Sequence, residues 1–193
     1  MKIIFATNNK NKVEEIKHLS HQKFQIFTLQ EVGIDIDIPE PHDTLEANAT
    51  EKSSTIYKLT NEAVFSEDTG LEVHALGGAP GVKSARYAGE GRNMQDNIDK
   101  LLQELKDKPS RTAQFRTVVS LIIDGKEYQF EGICKGHITH EMDGSNGFGY
   151  DPVFIPEGSN TTFANMDIAE KNKFSHRKKA VQQLIDFLNA YQA

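Results

Sequence analysis

The run AQFRTVVSLII (113–123), the dipeptide Asp124-Gly125 and the run KEYQFEGICKGHI (126–138) decide the fold class. Both runs have strand character, and an Asp-Gly pair between them is the signature of a two-residue type I′ turn, whose central positions both need positive φ. A turn that short demands antiparallel pairing. The fold class is therefore mixed α/β rather than purely parallel.

Reading outward toward the start, residues 2–6 form an apolar run of strand length. The polar Thr7-Asn8-Asn9-Lys10-Asn11 follows, and then Val13, Ile16 and Leu19 at helical spacing. Such a strand, loop and helix aim the unpaired N–H groups and positive dipole end of the helix at the mouth of the sheet, where a phosphate would be stabilised. Residues 24–28 predict a second strand, and Asp43 or Thr44 caps a helix carrying Leu45, Ala49, Ile56 and Leu59. Ala63-Val64-Phe65 re-enters the core and runs into Ser66-Glu67-Asp68-Thr69-Gly70, whose glycine predicts a sharp turn at the strand's end.

Gly-Gly-Ala-Pro-Gly (77–81) marks a tight loop, and residues 93–107 resume helical spacing through Ile98, Leu101, Leu102 and Leu105. Beyond the hairpin, 144–149 reads as a loop and 150–155 as a short strand. Ser175 caps a last helix with Ala180, Leu184, Phe187 and Leu188 inward. With no internal repeat, low-complexity tract or long linker, residues 1–193 read as one domain.

Composition narrows the function classes. A net charge of −6 disfavours a grip on nucleic acid polymers or anionic lipid, although a local basic pocket can still hold one polyphosphate. The single cysteine, Cys134, excludes an intrachain disulfide framework and has no ligand-spaced partner for zinc, so a reducing, cytoplasmic home is expected. No stretch approaches ~18 consecutive apolar residues, and the first residues lack a signal-peptide pattern, so neither a leader nor a membrane span is expected.

Four constellations could carry chemistry. Thr7, Asn9 and Lys12 supply a hydroxyl, an amide and an ammonium around one strand-to-helix turn, a donor set suited to phosphate oxygens, though an Asn-rich turn with a solvated lysine has the same spelling. Glu67 and Asp68 are adjacent carboxylates able to bind a hard cation or deprotonate water, or are merely solvated turn residues; Glu40, Glu46, Glu51 and Lys52 lie near the second helix. Asn146-Gly147-Phe148-Gly149-Tyr150-Asp151-Pro152 sets aromatic rings among glycines, leaving room for a flat base to stack, or else fills core with Phe148 and Tyr150. Lys171, Ser175, His176 and Arg177 gather donors at the start of the last helix, where acids are usual, which suggests an anionic or acceptor-rich ligand; a cap followed by a solvated basic turn is the alternative.

Taken in order, Thr7-x-Asn9-x-x-Lys12, Glu67-Asp68-Thr69-Gly70-Leu71, Gly77-Gly78-Ala79-Pro80-Gly81-x-x-Ser84-Ala85-Arg86-Tyr87, Phe148-Gly149-Tyr150-Asp151-Pro152 and Ser175-His176-Arg177 closely resemble the inosine/xanthosine triphosphate pyrophosphatase family. The resemblance implies a two-lobed mixed α/β fold with a central mixed sheet, an antiparallel hairpin extension, flanking helices and an active-site cleft between the lobes. It further implies a Mg²⁺-dependent homodimer that hydrolyses non-standard purine triphosphates (ITP, dITP, XTP) to monophosphate and pyrophosphate, cleansing the nucleotide pool.

By the same resemblance, Thr7, Asn9, Lys12 and Lys52, with Asn8, Lys10 and Asn11 beside them, hold the triphosphate. Asp68 serves metal and attacking water, Glu40 shares the metal, and Thr69 lies against the substrate. Phe148 stacks on the base; Gly149, Tyr150, Asp151, Lys171, His176 and Arg177 form its pocket, and Ser175 holds that loop. One departure stands out. Where many relatives read Glu-Asn-Ala on the second helix, this chain reads Ala47-Asn48-Ala49 with Glu46 one position early, a turn of about 100° on the helix. A broader or modified-pyrimidine triphosphate pyrophosphatase and a nucleotide-sensing module without turnover are the competing readings.

Overall fold

In the computed structural model, Asp124 (φ 50°) and Gly125 (φ 73°) both occupy the left-handed region, as a type I′ turn requires. The structure describes residues 1–17 and 24–191. Its elements run β1 (Lys2–Phe5), α1 (Lys10–Lys17), β2 (Gln25–Thr28), α2 (Leu45–Thr60), β3 (Val64–Val73), β4 (Pro80–Gly81) and α3 (Met94–Glu104), then β5 (Thr112–Ile123), β6 (Lys126–Ile138), β7 (Phe154–Pro156), α4 (Ile168–Phe174) and α5 (His176–Ala190). Leu19, expected on the first helix, lies outside the described residues. Among the described residues no helix is long and apolar enough to cross a membrane.

The strands form one sheet in the order β2-β1-β3-β5-β6-β7, with β4 on β3. The pairs β1–β2 and β1–β3 are parallel, whereas β3–β4 and β6–β7 are antiparallel. The mixed sheet foreseen from the Asp-Gly turn is therefore present. The chain divides into two compact units, one of Met1–Asp68, Thr117–Gly132 and Arg177–Ala193, the other of Thr69–Arg116 and Ile133–His176.

In the first unit, strand alternation sends successive side chains to opposite faces. Ile3, Phe5 and Phe65 meet Ile16 of α1 and Ala180, Val181, Leu184 and Leu188 of α5 on one face. Ile4, Ala6 and Val64 meet Ile56 of α2 and Leu29 on the other, with Ile34, Ile36 and Ile38 of an extended segment packed against them. The Phe5 and Phe65 rings stack at 4.5 Å, fixing the register of β1 on β3. Thr44 is the residue that caps α2, accepting from the Ala47 N–H at 3.1 Å, and Asn61 closes it in the left-handed region.

In the second unit, Leu71, Val73, Phe115, Phe154 and Phe163 pack with Ile98, Leu101 and Leu105 of α3. Asn93 caps α3 by accepting from the Asp96 N–H at 3.2 Å.

Two expectations change, and one helix was not foreseen. No turn interrupts 66–70: β3 continues to Val73, and Gly70 is required because a Cβ there would fall 2.6 Å from the Gly81 carbonyl oxygen of β4. Gly70→Ala must part the two backbones, and the expected cost of about 3 kcal/mol would show as a fall in Tm of roughly 10 °C. An unchanged melting curve would refute the contact. Residues 150–155 are not one strand; a single 3₁₀ turn over Asp151–Val153 precedes β7, since Pro152 has a fixed φ and no N–H for a ladder. Helix α4, capped by Asp167 through the Glu170 N–H at 2.7 Å, spans seven mostly polar residues, too few to display a period.

Candidate active site

Asn9 ends the loop after β1, and its side-chain oxygen accepts from the N–H groups of Asn11 (3.0 Å) and Lys12 (3.2 Å). It is thus the cap of α1, so only its amide NH₂ can serve a ligand. The Thr7 hydroxyl accepts from the Asn9 N–H at 3.2 Å, and the Asn8 amide donates to the Ile36 carbonyl at 2.8 Å, tying the loop to the extended segment that leads to Glu40. Asn8, Asn9, Lys10 and Asn11 are exposed, and Thr7 and Lys12 are half-buried.

Beyond this loop, β3 delivers two carboxylates to opposite faces. The even-numbered Val64, Ser66 and Asp68 face α2: the Ser66 hydroxyl donates to the Ala49 carbonyl at 2.5 Å, and Asp68 accepts from Lys52 of α2 at 3.2 Å. Lys52 also donates to Glu40 at 2.6 Å, so one buried ammonium is flanked by two carboxylates. Burial pushes the Asp68 carboxyl above the usual carboxylate range, against the opposing pull of Lys52 and Lys12. Burial alone would lower the Lys52 ammonium, but Asp68, Glu40 and Glu67 together hold it above its ordinary value. On α2 the buried face carries Leu45, Asn48, Ala49 and Lys52, and the acids that meet Lys52 come from outside the helix, Asp68 from β3 and Glu40 from the segment before α2.

Glu67, on the odd-numbered side with Phe65, reaches the face of α1 and α5. Its Oε1 lies 3.0 Å from Lys12 Nζ and 3.1 Å from Arg177 Nε, and the Arg177 guanidinium also pairs with Glu15 of α1. Arg177, expected beside a base, is thus held by two carboxylates of the first unit. Those carboxylates raise its pKa despite full burial. Glu15 was passed over in the sequence, although it sits three residues after Lys12 on the same helical face.

The second unit holds the remaining candidates. Asp151 Oδ2 accepts from the Phe148 N–H at 2.9 Å and from Lys171 Nζ at 2.8 Å. Gly147 is required beside it, because a Cβ there would lie 2.1 Å from that oxygen. The Lys171 ammonium stands 5.3 Å from the centre of the half-buried Phe148 ring and 5.4 Å from that of Phe163. Tyr150 is core, donating to the Ser84 carbonyl at 2.8 Å, and burial pushes its phenol well above its usual range. The buried His176 ring stacks on Phe115 at 4.7 Å, and the Ser175 N–H donates to the Lys171 carbonyl at 2.9 Å, closing α4 just ahead of α5. Gly149 takes φ 62°, and Thr69 follows Asp68 on β3, partly buried.

In the first unit the arrangement offers ammonium groups, a capped helix start and hard carboxylate oxygens, the equipment for a polyphosphate and a hard divalent cation. In the second it offers a half-buried ring beside an ammonium, suited to a flat ring bearing acceptors. The sequence model described as the Ham1 family matches residues 3–187. The chain belongs to the Ham1 family. A dITP/XTP pyrophosphatase of Flavobacterium johnsoniae is 50% identical over 98% of this chain and 99% of its own length. The dITP/XTP pyrophosphatase of Porphyromonas gingivalis is 52% identical over 97% of each chain. Among solved structures, the Ham1 protein of Staphylococcus aureus superposes with a TM-score of 0.91 at 37% identity, covering 100% of both chains.

Within this Ham1 fold, no group of three or more His, Cys, Asp or Glu side chains among the described residues is gathered for a metal. Glu40 and Asp68 do share one lysine, and two carboxylates suit Mg²⁺, which takes one or two of them alongside substrate phosphate oxygens.

Proposed function

We propose that this chain hydrolyses non-standard purine nucleoside triphosphates, dITP, ITP and XTP, to the monophosphate and pyrophosphate. Full-length similarity to relatives named dITP/XTP pyrophosphatase supports the reaction. The single structural observation that carries it is the buried Lys52 ammonium flanked by Glu40 and Asp68.

In this reading Lys12, Lys52 and the N–H groups of the loop offset the charge of the triphosphate, and Glu40 and Asp68 would hold Mg²⁺. When bound, the ion supplies Lewis-acid polarisation of phosphate oxygens. The Asp68 carboxylate, made more basic by burial, accepts the proton of the attacking water as the water oxygen bonds to the α-phosphorus; the bond from that phosphorus to the pyrophosphate oxygen breaks and pyrophosphate leaves. A homodimer at work in the cytoplasm is carried from the sequence resemblance.

Phe148 stacks on the base while N–H donors of Lys171 and His176 meet its 6-keto oxygen. Adenine presents an amino group there and would leave buried donors facing a donor. Pyrophosphate release from ITP, XTP, GTP and ATP, with and without Mg²⁺, tests the reading. The expected kcat/KM for ITP and XTP exceeds that for ATP by about 100-fold or more and also exceeds that for GTP, with release lost when the ion is removed. Equal values for all four nucleotides would end the selectivity claim.

A further inference from the structure

Asp68 has a part in the chemistry proposed above, and its neighbour Glu67 does not. The two are adjacent in sequence but point to opposite faces of β3, Asp68 toward Lys52 of α2 and Glu67 toward Lys12 of α1 and Arg177 of α5. Its side chain has 0% exposure, and a carboxylate so placed is costly unless cations meet it. Two do. The same oxygen, Oε1, lies 3.0 Å from Lys12 Nζ and 3.1 Å from Arg177 Nε, and Glu15 supplies a second carboxylate to the Arg177 guanidinium.

Lys12, Glu67, Arg177 and Glu15 thus form a neutral quartet linking α1, β3 and α5. Only Lys12 within the pair with Glu67 keeps any access, its side chain being 14% exposed. An ammonium has three N–H donors, so one directed to Glu67 leaves two for an acceptor arriving from the accessible side. Because Arg177 draws on the same carboxylate oxygen, the negative charge of Glu67 is divided, and Lys12 retains a positive field toward that side.

We propose that Glu67 is a positioning residue that fixes the Lys12 ammonium, with Arg177 as its counter-charge, so that the lysine meets the triphosphate already oriented. A lysine on a flexible four-carbon stem otherwise loses rotamer freedom on binding, and prior ordering transfers that loss to folding. The inference rests on Lys12 being a polyphosphate ligand.

The test is a double-mutant cycle of Glu67→Gln and Lys12→Ala, read by steady-state ITP hydrolysis and by calorimetric binding of inorganic tripolyphosphate in Mg²⁺. Glu67→Gln is expected to raise KM and weaken tripolyphosphate binding about tenfold while kcat stays within about threefold. Lys12→Ala added to that variant should cost no more than about twofold further. Should Glu67→Gln fail to fold, Glu67→Asp keeps the charge but withdraws it by one methylene, and the same KM-selective loss is expected. Additive effects, a fall in kcat at constant KM, or tighter tripolyphosphate binding by Glu67→Gln would each overturn the proposal. If the wild-type chain binds tripolyphosphate but releases no pyrophosphate, the proposed reaction fails while the binding cycle still decides the role of Glu67; no tripolyphosphate binding by a chain that hydrolyses ITP overturns the role of Glu67 and leaves the reaction standing.

Discussion

Asp68→Asn is expected to lower pyrophosphate release by about 10³-fold or more while the protein stays folded. The substitution keeps the shape of the side chain and leaves an oxygen that can still accept from Lys52, now 3.2 Å away. Lys52 also keeps its shorter contact to Glu40 at 2.6 Å, so a buried ammonium is not stranded. An amide cannot accept the proton of water or contribute an anionic ligand, and both roles assigned to Asp68 are lost together. Because burial already holds the carboxyl above its usual range, the neutral amide is tolerated by its surroundings, and melting should change little. Steady-state release from ITP and a thermal unfolding curve check both halves. Turnover within threefold of wild type would remove Asp68 from the mechanism, and a collapsed melting curve would show that its role is structural.

Features set by local physics were legible in the sequence. Asp124-Gly125 could be read because both turn positions need positive φ, and the cap of α2 could be narrowed to Asp43 or Thr44 because a short polar side chain before an amphipathic run satisfies orphan N–H groups. Features set by distant partners were not. Gly70 reads as a turn in isolation, yet its reason is the backbone of Gly81 across β4. Asn9 reads as a ligand donor, and its second task, capping α1 through Oδ1, shows only in the fold. Glu67 and Asp68 read as a pair of acids, and only the pleat of β3, invisible when its continuation is taken for a turn, sends them to different partners. The Glu67–Arg177 contact spans 110 positions, a separation that no spacing rule reaches. The candidate site was therefore named largely by resemblance, while the partnership of each side chain came from the fold.

That same distinction bears on Asp151, which the sequence places beside two aromatic residues and the structure makes the organiser of their loop. Asp151→Ala is expected to lower stability by about 3 kcal/mol and to erase most of the preference for ITP over ATP. One carboxylate oxygen takes both the Phe148 N–H (2.9 Å) and the Lys171 ammonium (2.8 Å), so its loss affects at once the ring proposed to stack on the base and the donor proposed to read its keto oxygen. Lys171 is mostly buried between Phe148 and Phe163, and aromatic faces offset an ammonium far less than a carboxylate does. The Gly147 backbone packs so closely that nothing larger than a hydrogen fits beside Oδ2, which shows the carboxylate to be seated in its loop rather than resting on it. With Asp151→Asn the Phe148 N–H keeps an acceptor while Lys171 loses the charge of Asp151, so the asparagine variant should retain more of the melting temperature than the alanine variant but an equally poor ITP/ATP ratio. Melting curves and kcat/KM for the two nucleotides in both variants separate these contributions. An ITP/ATP ratio unchanged from wild type in Asp151→Asn would show that Lys171 is no reader of the base.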